Sequence, residues 1–354
     1  MTTQVQPLKL AIAGLSHDHV SILADMSPDD FDVVGVYERE RSTREAFKYP
    51  RSRAPEARFS DLETMLNVTR PDAVAAFGSI YEHLEVVEKC APLGIHVMVE
   101  KPLAISVEHG DRIASLAREH GIHVLTNYET SWYPTTAHAF AVLESGAIGS
   151  ARKVLVRDGH GGPIETGCRP EFLSWLTDPA FSGGGALSDF GCYGANLLTR
   201  LMQGELPVSI TALSRSFKPA LYPLVEDDAL IVLNYEMVEG VIQASWNWPA
   251  ARKDMEINGT TGFVRTLDAV TGLELTPKGD GPVSVMPAPL PSNVAGPFAH
   301  LAAVIRGDLA LRPFDLSALE NNVSVVRILD AARRSAALGQ TVSLANRAAA
   351  ESSR

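Results

Sequence analysis

The segment Glu100-Lys101-Pro102 places two ionisable side chains directly after a run of apolar, β-favouring residues, Ile95 to Val99. Residues that follow a strand of a parallel sheet lie at the edge where α/β proteins bind their ligands. A lysine in a partly desolvated cleft can hold a substrate oxygen or shift the pKa of a neighbouring group. On its own, a Glu-Lys-Pro segment is more typical of an exposed turn, so a catalytic role for it requires other functional residues in the chain.

A second candidate is the segment 183–194, GGGALSDFGCYG, in which Asp189 and Tyr193 are four residues apart. On one continuous helix this spacing places both side chains on the same face. Gly191 and Gly194 would allow a ligand or another backbone to approach closely. An isolated Asp–Tyr pair more commonly forms a hydrogen bond on a helix surface, so this pair also needs partners before it indicates chemistry.

The strand-like run Leu8–Ala13 leads into the segment 14–19, GLSHDH, where a dinucleotide-binding fold carries its G-x-G-x-x-G turn. Only Gly14 is present, because Ser16 and His19 occupy the other two glycine positions. Serine is small enough to let the backbone approach a pyrophosphate, and the following helix N-terminus would supply N–H groups and the positive end of its dipole. The turn alone is a weak signal, and a generic strand–turn–helix is the alternative.

Glu38 ends the second strand-like run, Phe31–Tyr37, and lies 24 residues after Gly14. A carboxylate at this place suits hydrogen bonding to the ribose diol of a dinucleotide. It would repel a 2′-phosphate, so the sequence favours NAD over NADP, although Arg39 and Arg41 leave NADP open. The alternative is a solvated carboxylate without a ligand.

His17 and His19 raise the question of a metal site. Histidines two residues apart at the start of a helix are expected to point in different directions, and no third ligand is close in sequence. We therefore predict that no metal is bound and that the two imidazoles line the cofactor cleft or cap the helix.

The elements that would position these residues alternate in the first third of the chain between apolar strand-like runs and helix-like runs. This alternation is typical of a parallel sheet covered on both faces by helices. Two predicted helices, Glu82–Leu93 and Val107–His120, are each followed by a glycine suited to a left-handed cap. The predicted strands are Leu8–Ala13, Phe31–Tyr37, Ala73–Phe77, Ile95–Val99 and Ile122–Thr126.

After about Asn127 the pattern changes to two helices followed by closely spaced strand-like segments, which predicts a largely antiparallel sheet. The predicted helices are Pro134–Glu144, Ala186–Met202, Phe298–Arg306 and Leu316–Leu338. The predicted strands are Val208–Ser216, Ala229–Glu236, Val241–Trp246, Asp254–Asn258, Gly262–Leu267 and Leu273–Thr276.

The sequence thus predicts an α/β protein with an N-terminal Rossmann domain, which is a doubly wound parallel sheet, and a C-terminal α+β domain with a largely antiparallel open sheet. We place the dinucleotide-binding domain at residues 1–126 and the substrate-binding and oligomerisation domain at residues 127–345. The final helices could pack back on the first domain. A frayed tail is expected at residues 346–354.

The order of these motifs resembles that of one oxidoreductase family. A degenerate glycine turn, an acid after the second strand, Glu-Lys-Pro after the fourth strand-like run and G-G-G-A-x-x-D-x-G-x-Y together resemble the Gfo/Idh/MocA family, named for glucose–fructose oxidoreductase and inositol dehydrogenase. Residues 145–149, SGAIG, resemble its linker between domains, and residues 256–262, EINGTTG, resemble its strand–turn–strand. The resemblance extends over nearly the whole chain and outweighs the alternatives above.

The resemblance implies a catalytic group made of Lys101, Asp189 and the residue four positions after Asp189, with Lys101 beside the reacting carbon and a cis bond before Pro102. Many members have histidine at the last position. Tyr193 is similar to the glucose–fructose oxidoreductase and dihydrodiol dehydrogenase branches, so an inositol specificity does not follow. We expect Tyr193 to be the acid/base and Lys101 to lower its pKa, or the two roles to be exchanged.

The cofactor and substrate residues follow from the motifs and the resemblance together. Aromatic, histidine and cationic side chains suit a hydroxyl-rich ligand, although ordinary sheet packing is an even alternative for them. The expected ligand of the first domain is NAD, with NADP possible, held by Gly14, Leu15, Ser16, His17, His19, Glu38, Arg39, Gly78, Ser79, His83, Glu100, Lys101 and Asn127. The expected substrate residues are Tyr128, Trp132, His160, Trp246, Trp248 and Arg252.

Composition limits the classes of partner. The chain has 31 basic and 42 acidic side chains, a net charge of −11, which disfavours nucleic acids and anionic membranes. No apolar run approaches the roughly 20 residues of a membrane helix. The three cysteines are widely spaced, which favours a reducing compartment. We therefore predict a cytoplasmic homodimer or homotetramer that acts on a small carbohydrate.

Hydride transfer between nicotinamide and a sugar, glycoside or polyol carbinol is the leading function. Two alternatives stay open: a regulator that binds NAD(P) without turnover, and NAD-assisted glycoside cleavage through transient oxidation.

Overall fold

A computed structural model describes residues 6–48 and 57–344 of the 354-residue chain. The predicted frayed tail at residues 346–354 lies outside these described residues. The chain forms two sheets, one of six strands and one of nine, and helices pack against both.

The six-stranded sheet is parallel throughout, with the order β3-β2-β1-β4-β5-β6 of a dinucleotide-binding fold. All five strands predicted for this half are present to within two residues. The sequence patterns missed only β3, whose two residues are too few to show a period. The strands are Leu8–Ala13 (β1), Phe31–Tyr37 (β2), Arg58–Phe59 (β3), Ala73–Ala76 (β4), His96–Glu100 (β5) and Val124–Asn127 (β6).

Among the described residues, four α-helices accompany this sheet. The longest has Ser106 as its N-cap and ends at Gly121 in the left-handed conformation, as predicted from the glycine. The helices are Arg41–Ala46 (α1), Leu62–Thr69 (α2), His83–Cys90 (α3) and Val107–His120 (α4), and short 3-10 turns cover Asp18–Asp25, Ile80–Glu82, Ala91–Leu93 and Glu129–Trp132.

The second half has seven helices and nine strands among the described residues. The helices are Pro134–Glu144 (α5), Pro170–Leu176 (α6), Pro179–Ser182 (α7), Ala186–Asp189 (α8), Gly191–Leu201 (α9), Pro297–Arg306 (α10) and Leu319–Leu338 (α11), with a 3-10 turn at Ser292–Val294. The strands are Ala151–Gly159 (β7), Ser209–Arg215 (β8), Asp228–Asn234 (β9), Glu239–Ser245 (β10), Arg252–Gly259 (β11), Gly262–Thr266 (β12), Leu273–Pro277 (β13), Val283–Val285 (β14) and Val342–Ser343 (β15).

The nine strands form an open sheet in the order β14-β13-β12-β11-β7-β10-β9-β8-β15, and every pairing is antiparallel except β7 with β10. The predicted largely antiparallel sheet is therefore confirmed. The sequence patterns missed its central strand, β7. The first three residues of this strand, Ala151 to Lys153, include two cations and are more typical of a surface segment than of a central strand.

The predicted continuous helix Ala186–Met202 is interrupted at Phe190, a turn residue that divides it into α8 and α9. Asp189 and Tyr193 therefore stand on different helices. Their side chains still reach the same site, but not through the helical spacing that predicted it.

Two hydrophobic clusters join the end of the chain to the first sheet. Phe298 and Leu301 of α10 pack in one core with Leu10 and Ile12 of β1. Helix α11 packs on α4 through Val326 and on the second domain through residues such as Ile328. Among the described residues, none of the helices has the length and apolar character needed to span a membrane.

Candidate active site

A cavity of about 480 Å³ opens at the carboxyl ends of the first sheet. Gly14 has a φ of +79°, and a Cβ there would lie 2.6 Å from the backbone nitrogen of Gly78. A Cβ on Gly78 would lie equally close to the carboxylate of Glu82. Gly14 is therefore needed for the close turn that forms the cavity wall, whereas a side chain at position 78 would displace the end of Glu82. We call this cavity the cofactor cavity. Its lining includes Gly14, Ser16, Tyr37, Glu38, Arg39, Thr43, Gly78, Ser79 and Tyr81.

The Glu38 carboxylate is fixed by two backbone groups at one end of the cofactor cavity. Leu15 N–H donates to one of its oxygens at 2.8 Å and Glu40 N–H to the other at 2.9 Å. A carboxylate has about four acceptor positions, so each oxygen can still accept one ribose hydroxyl. The geometry fits a dinucleotide with a free ribose diol at this end.

Seven of the thirteen predicted cofactor residues do not line the cofactor cavity, and three of these are buried away from the hydrogen bonds that follow Glu100. Leu15 is fully buried and contributes its backbone N–H. His83 is buried with its Nδ1 at 3.1 Å from the Leu103 carbonyl oxygen, and burial lowers its pKa to about 4. His17 packs against Phe172 and Trp175, with ring centroids 4.7 and 5.4 Å away, and burial followed by the charge of His19 lowers its pKa.

The expectation that His17 and His19 point apart is wrong. Their ring centroids lie 4.5 Å apart, and with Glu100 they bring three ligand-type atoms within 4.8 Å of one another. Hydrogen bonds account for this cluster, because His17 Nδ1 accepts from the His19 N–H and His19 Nδ1 lies 2.8 Å from Glu100 Oε2. The absence of a bound metal stays a prediction.

A chain of hydrogen bonds continues from Glu100 across the end of the first sheet. Asn127 donates to Glu100 Oε1 at 2.8 Å, and Trp132 Nε1 donates to Asn127 Oδ1 at 2.8 Å. Glu100 is fully buried, and although burial favours its acid form, His19 and the hydrogen bonds keep its pKa below the ordinary value. This ionised carboxylate immediately precedes Lys101 and fixes the end of β5.

Lys101 and Asp189 form a buried ion pair. The Lys101 ammonium donates to Asp189 Oδ1 and, at 3.1 Å, to the Asp189 carbonyl oxygen. Trp246 Nε1 donates to the second carboxylate oxygen at 3.0 Å. The bond between Lys101 and Pro102 is cis, as the family resemblance implies.

The pair stays ionised although both partners are out of water. Burial alone would lower the pKa of Lys101, but the Asp189 carboxylate outweighs it and holds that pKa above its ordinary value. Burial would raise the pKa of Asp189, but Lys101 holds it below its ordinary value. An ammonium has three N–H groups, and two of them are used here. The third has no hydrogen-bond acceptor among the described residues and can bind a substrate oxygen.

Tyr193 does not have the low pKa that we expected for an acid/base. Burial and then the charge of Glu129 raise the pKa of its phenol well above the ordinary value. The ammonium groups of Lys101 and Lys253 lie 5.2 and 4.8 Å from the centroid of its ring, so they contact the ring and not the hydroxyl. The expected lowering of the Tyr193 pKa by Lys101 is therefore wrong, and which of the two residues exchanges the proton stays a prediction.

A second cavity of about 300 Å³ lies over the sheet of the second domain beside Phe190. His160 and Arg252, two of the predicted substrate residues, line it. The guanidinium of Arg252 stacks on Trp248 at 4.7 Å and pairs with Asp254 at 2.6 Å. We call this the substrate cavity; its lining also includes Glu129, Tyr133, Gly159, Phe190, Lys253, Asp254, Leu267 and Asp268.

Three predicted substrate residues lie elsewhere. Tyr128 is fully buried and packs edge-on against Tyr193, with ring centroids 5.4 Å apart. Trp246 is also fully buried and holds Asp189. Trp132 lines a different cavity beside His300. The aromatic composition of these segments suggests ligand contact, but the rings of Tyr128 and Trp246 serve for packing and for positioning other groups.

Sequence patterns missed several residues that the fold brings into the site. Arg169 reaches the glycine turn from the second domain, pairs with Asp18 at 2.7 Å and donates to the His17 carbonyl at 2.9 Å. Glu129 and Lys253 form an ion pair at the substrate cavity. Lys253 follows the predicted substrate residue Arg252 in the sequence, but the face of the sheet on which it lies follows only from the pairing of β11 with β7.

Comparison with known proteins agrees with these two halves. Residues 8–128 match the family described as the oxidoreductase family with an NAD-binding Rossmann fold, and residues 136–265 match the GFO/IDH/MocA C-terminal domain. A trans-1,2-dihydrobenzene-1,2-diol dehydrogenase of Xenopus laevis is 28% identical over 253 residues, 71% of this chain and 72% of that protein.

Solved structures share the whole fold. An aldose–aldose oxidoreductase from Caulobacter crescentus, complexed with glycerol, superposes with a TM-score of 0.78 at 22% identity, covering 96% of this chain and 100% of the other. An inositol dehydrogenase homologue from Azotobacter vinelandii, complexed with NAD+, superposes with a TM-score of 0.81 at 18% identity, covering 96% and 98%. At these identities the likeness shows the fold.

Proposed function

Because the chain belongs to the GFO/IDH/MocA family of NAD-binding oxidoreductases, we propose that it transfers a hydride between the carbinol carbon of a sugar, glycoside or polyol and nicotinamide. The observation that carries this proposal is the buried Lys101–Asp189 pair, which directly precedes Phe190 of the substrate cavity and leaves one ammonium N–H without an acceptor among the described residues. The relatives named for diols and aldoses support a carbinol substrate.

Lys101 is the group that exchanges a proton with the substrate oxygen. When bound, NAD(P) supplies the hydride acceptor in oxidation and the hydride donor in reduction. In oxidation the hydroxyl O–H bond breaks as the C–H bond does, and the neutral amine of Lys101 takes the proton. In reduction its ammonium donates that proton to the carbonyl oxygen. Asp189 orients Lys101, and the Tyr193 ring packs against the Lys101 ammonium.

A screen of sugars, polyols and glycosides with NAD and with NADP, followed by nicotinamide absorbance, tests the proposal. We expect reduction of the cofactor with at least one uncharged polyhydroxyl compound. Release of an aglycone without net cofactor reduction would instead indicate glycoside cleavage. Binding of NAD(P) without turnover of any compound would indicate a regulator.

The cofactor preference is expected to depend on Glu38. Its carboxylate is held by two backbone N–H groups and cannot turn away from a 2′-phosphate, so NAD should be preferred. Glu38→Ser should shift the ratio of kcat/KM for NAD to that for NADP towards NADP by about tenfold or more, since removing a like-charge contact is worth at least 1.4 kcal/mol. Glu63→Ser, which replaces an exposed acid on α2, is the control and should leave this ratio unchanged. A wild-type preference for NADP would contradict this assignment.

The outer face of the nine-stranded sheet supports a proposed homodimer or homotetramer. Leu230, Val232, Val241 and Leu155 alternate with the buried core residues of their strands and are only half-buried. They form a continuous apolar stripe across β9, β10 and β7. An apolar stripe on an open sheet is stabilised by a second copy.

Light scattering at micromolar concentration should give a dimer or tetramer for the wild type. Val232→Glu, in the centre of the stripe, should give a monomer because the association would bury an unpaired charge. Val68→Glu, an exposed position on α2, should leave the assembly unchanged. A monomeric wild type would contradict the proposed assembly.

We also propose a cytoplasmic location and no metal cofactor. Cys90, Cys168 and Cys192 are free thiols, which suits a reducing compartment.

A further inference from the structure

Arg169 lies in the part of the chain that matches the C-terminal domain, but its side chain contacts the glycine turn of the first domain. It directly precedes helix α6, and its Nε lies 2.7 Å from Asp18 Oδ1. One nitrogen of its guanidinium, Nη2, donates to the carbonyl oxygens of Leu15 at 3.1 Å and His17 at 2.9 Å. The Ser16 carbonyl oxygen is also in reach, at 3.4 Å. The guanidinium thus holds three successive peptides of the turn.

These contacts determine where the N–H groups of the turn point. In a trans peptide the carbonyl and the N–H lie on opposite sides. The carbonyls of Leu15 and His17 face Arg169. The N–H groups of the same two peptides, which belong to Ser16 and Asp18, therefore point away from it. Among the described residues these two N–H groups have no acceptor, whereas the His17 N–H between them donates to a backbone carbonyl at 2.8 Å.

One of the two free N–H groups belongs to a residue that lines the cofactor cavity. Ser16 and Gly14 both line this cavity, and Arg169 does not. Backbone N–H groups without acceptors beside a cavity suit an anion. Elsewhere in the same lining, the fixed Glu38 carboxylate can accept ribose hydroxyls. In a dinucleotide the anionic group next to that ribose is the pyrophosphate.

The composition of the turn explains why it needs a cation from elsewhere. Ser16 and His19 replace two of the three glycines that usually bring this backbone close to a pyrophosphate. The planar guanidinium of Arg169 can bond the Asp18 carboxylate and the turn carbonyls at the same time. Because hydrogen bonds in series polarise one another, a cation on a carbonyl makes the N–H of the same peptide a stronger donor.

We propose that Arg169 is a positioning residue that completes the pyrophosphate site from the second domain. It acts through the turn, by directing the N–H groups of Ser16 and Asp18 towards the pyrophosphate. Its charge also neutralises the Asp18 carboxylate, which would otherwise repel that anion. The inference rests on the dinucleotide binding of the proposed function and not on turnover. It implies that the first domain alone does not contain the whole cofactor site.

The loop that carries Arg169 is fixed by contacts that do not involve its side chain. Lys218 donates to the Glu165 carboxylate and, at 2.7 Å, to the Gly161 carbonyl oxygen. The Tyr222 hydroxyl donates to the second oxygen of Glu165. Replacement of Arg169 should therefore leave the loop in place, so that a change in ligand binding reports on the glycine turn.

Binding of ADP-ribose and of adenosine tests this role without any substrate. Both ligands contain a ribose diol, but only ADP-ribose contains the pyrophosphate. Arg169→Met should raise the Kd of ADP-ribose about tenfold or more, which is the scale of one hydrogen bond to a charged group. The same variant should change the Kd of adenosine less than about twofold. Isothermal titration calorimetry measures the first Kd, and an NMR titration measures the weaker second one.

Two further variants make the test specific. Arg169→Lys keeps the charge but has no planar fork to hold Asp18 and the carbonyls together, so its Kd for ADP-ribose should stay at least about threefold above wild type. Arg327→Met, which breaks an exposed pair with Asp111 at 3.0 Å, is the control and should change neither Kd.

The outcomes separate this inference from the proposed function. An unchanged Kd of ADP-ribose in Arg169→Met, or equal losses for ADP-ribose and adenosine, would overturn the positioning role even if a substrate is found. Full recovery in Arg169→Lys would show that charge alone is needed and would overturn it as well. Failure to find a substrate would contradict hydride transfer and would leave the expected difference between the two ligands unchanged.

Discussion

Replacing Lys101 by methionine is expected to lower kcat by about 10²–10⁴-fold, the usual contribution of one positioned acid/base group. The methionine side chain has a similar length but no N–H, so the substrate oxygen would have no proton donor or acceptor. NAD affinity, measured by fluorescence titration, should change little because the contacts of Gly14 and Glu38 remain. The loss should therefore appear in kcat and not in cofactor binding.

Lys101→Arg distinguishes proton transfer from charge alone. Arginine keeps the positive charge but does not give up its proton in proteins, so it should not restore kcat. Lys153→Met, whose lysine is exposed and pairs with Glu239, is the matched control and should keep wild-type kcat. If Lys101→Met kept most of wild-type kcat while hydride transfer was rate-limiting, Lys101 would not be the acid/base.

The raised pKa of Lys101 also sets the pH dependence of the two directions. At neutral pH the group is mostly an ammonium, which suits reduction of a carbonyl. Oxidation needs the neutral amine, so its rate should increase as the pH rises towards that raised pKa, while the rate of reduction should decrease over the same range.

The second large effect is expected on stability. Asp189→Ala should lower the free energy of unfolding by about 3–5 kcal/mol, because it leaves a buried ammonium without its partner. Trp246 Nε1 would lose its acceptor as well. The double variant Lys101→Met/Asp189→Ala should be more stable than Asp189→Ala, since removing the ammonium removes the unpaired charge. Urea unfolding followed by fluorescence measures the free energy of unfolding of the wild type, of Asp189→Ala and of the double variant.

An exposed ion pair provides the control for this cycle. Glu63 pairs with Lys89 at 2.8 Å on the surface, and Glu63→Ala should cost no more than about 1 kcal/mol. If Asp189→Ala were no more destabilising than Glu63→Ala, or if the double variant were the least stable of the set, the buried pair would not have the assigned role.

The first sheet could be predicted because its strands are nearly continuous apolar runs between glycine-capped helices. Val107–His120 was predicted to the residue, since both its cap and its apolar period are local features. Strand β7 could not be found in the same way. The strand begins with Ala151, Arg152 and Lys153, and its inward-facing residues end in a buried acid, Asp158, which breaks the apolar pattern.

The sequence predicts which residues form the site better than it predicts how they are arranged. Lys101, Asp189 and Tyr193 do lie together, but the interruption of the helix at Phe190 and the stacking of two ammonium groups on the Tyr193 ring depend on tertiary packing. No local sequence pattern shows how a tyrosine hydroxyl on a helix is oriented towards a lysine from a distant part of the chain. For the same reason, the burial of Tyr128 and Trp246 could not be separated from ligand contact in the sequence.

The central claim is hydride transfer at the Lys101–Asp189 pair, and deuterium transfer tests it most directly. The best compound from the screen is prepared with deuterium on the carbinol carbon and incubated with NAD and the wild-type protein or Lys101→Met. The wild-type protein is expected to give reduced nicotinamide with deuterium at ring carbon C4, together with one equivalent of carbonyl product, and Lys101→Met is expected to form both at least about a hundredfold more slowly. Product formation without deuterium in the nicotinamide, or equal rates for the two proteins, would contradict it.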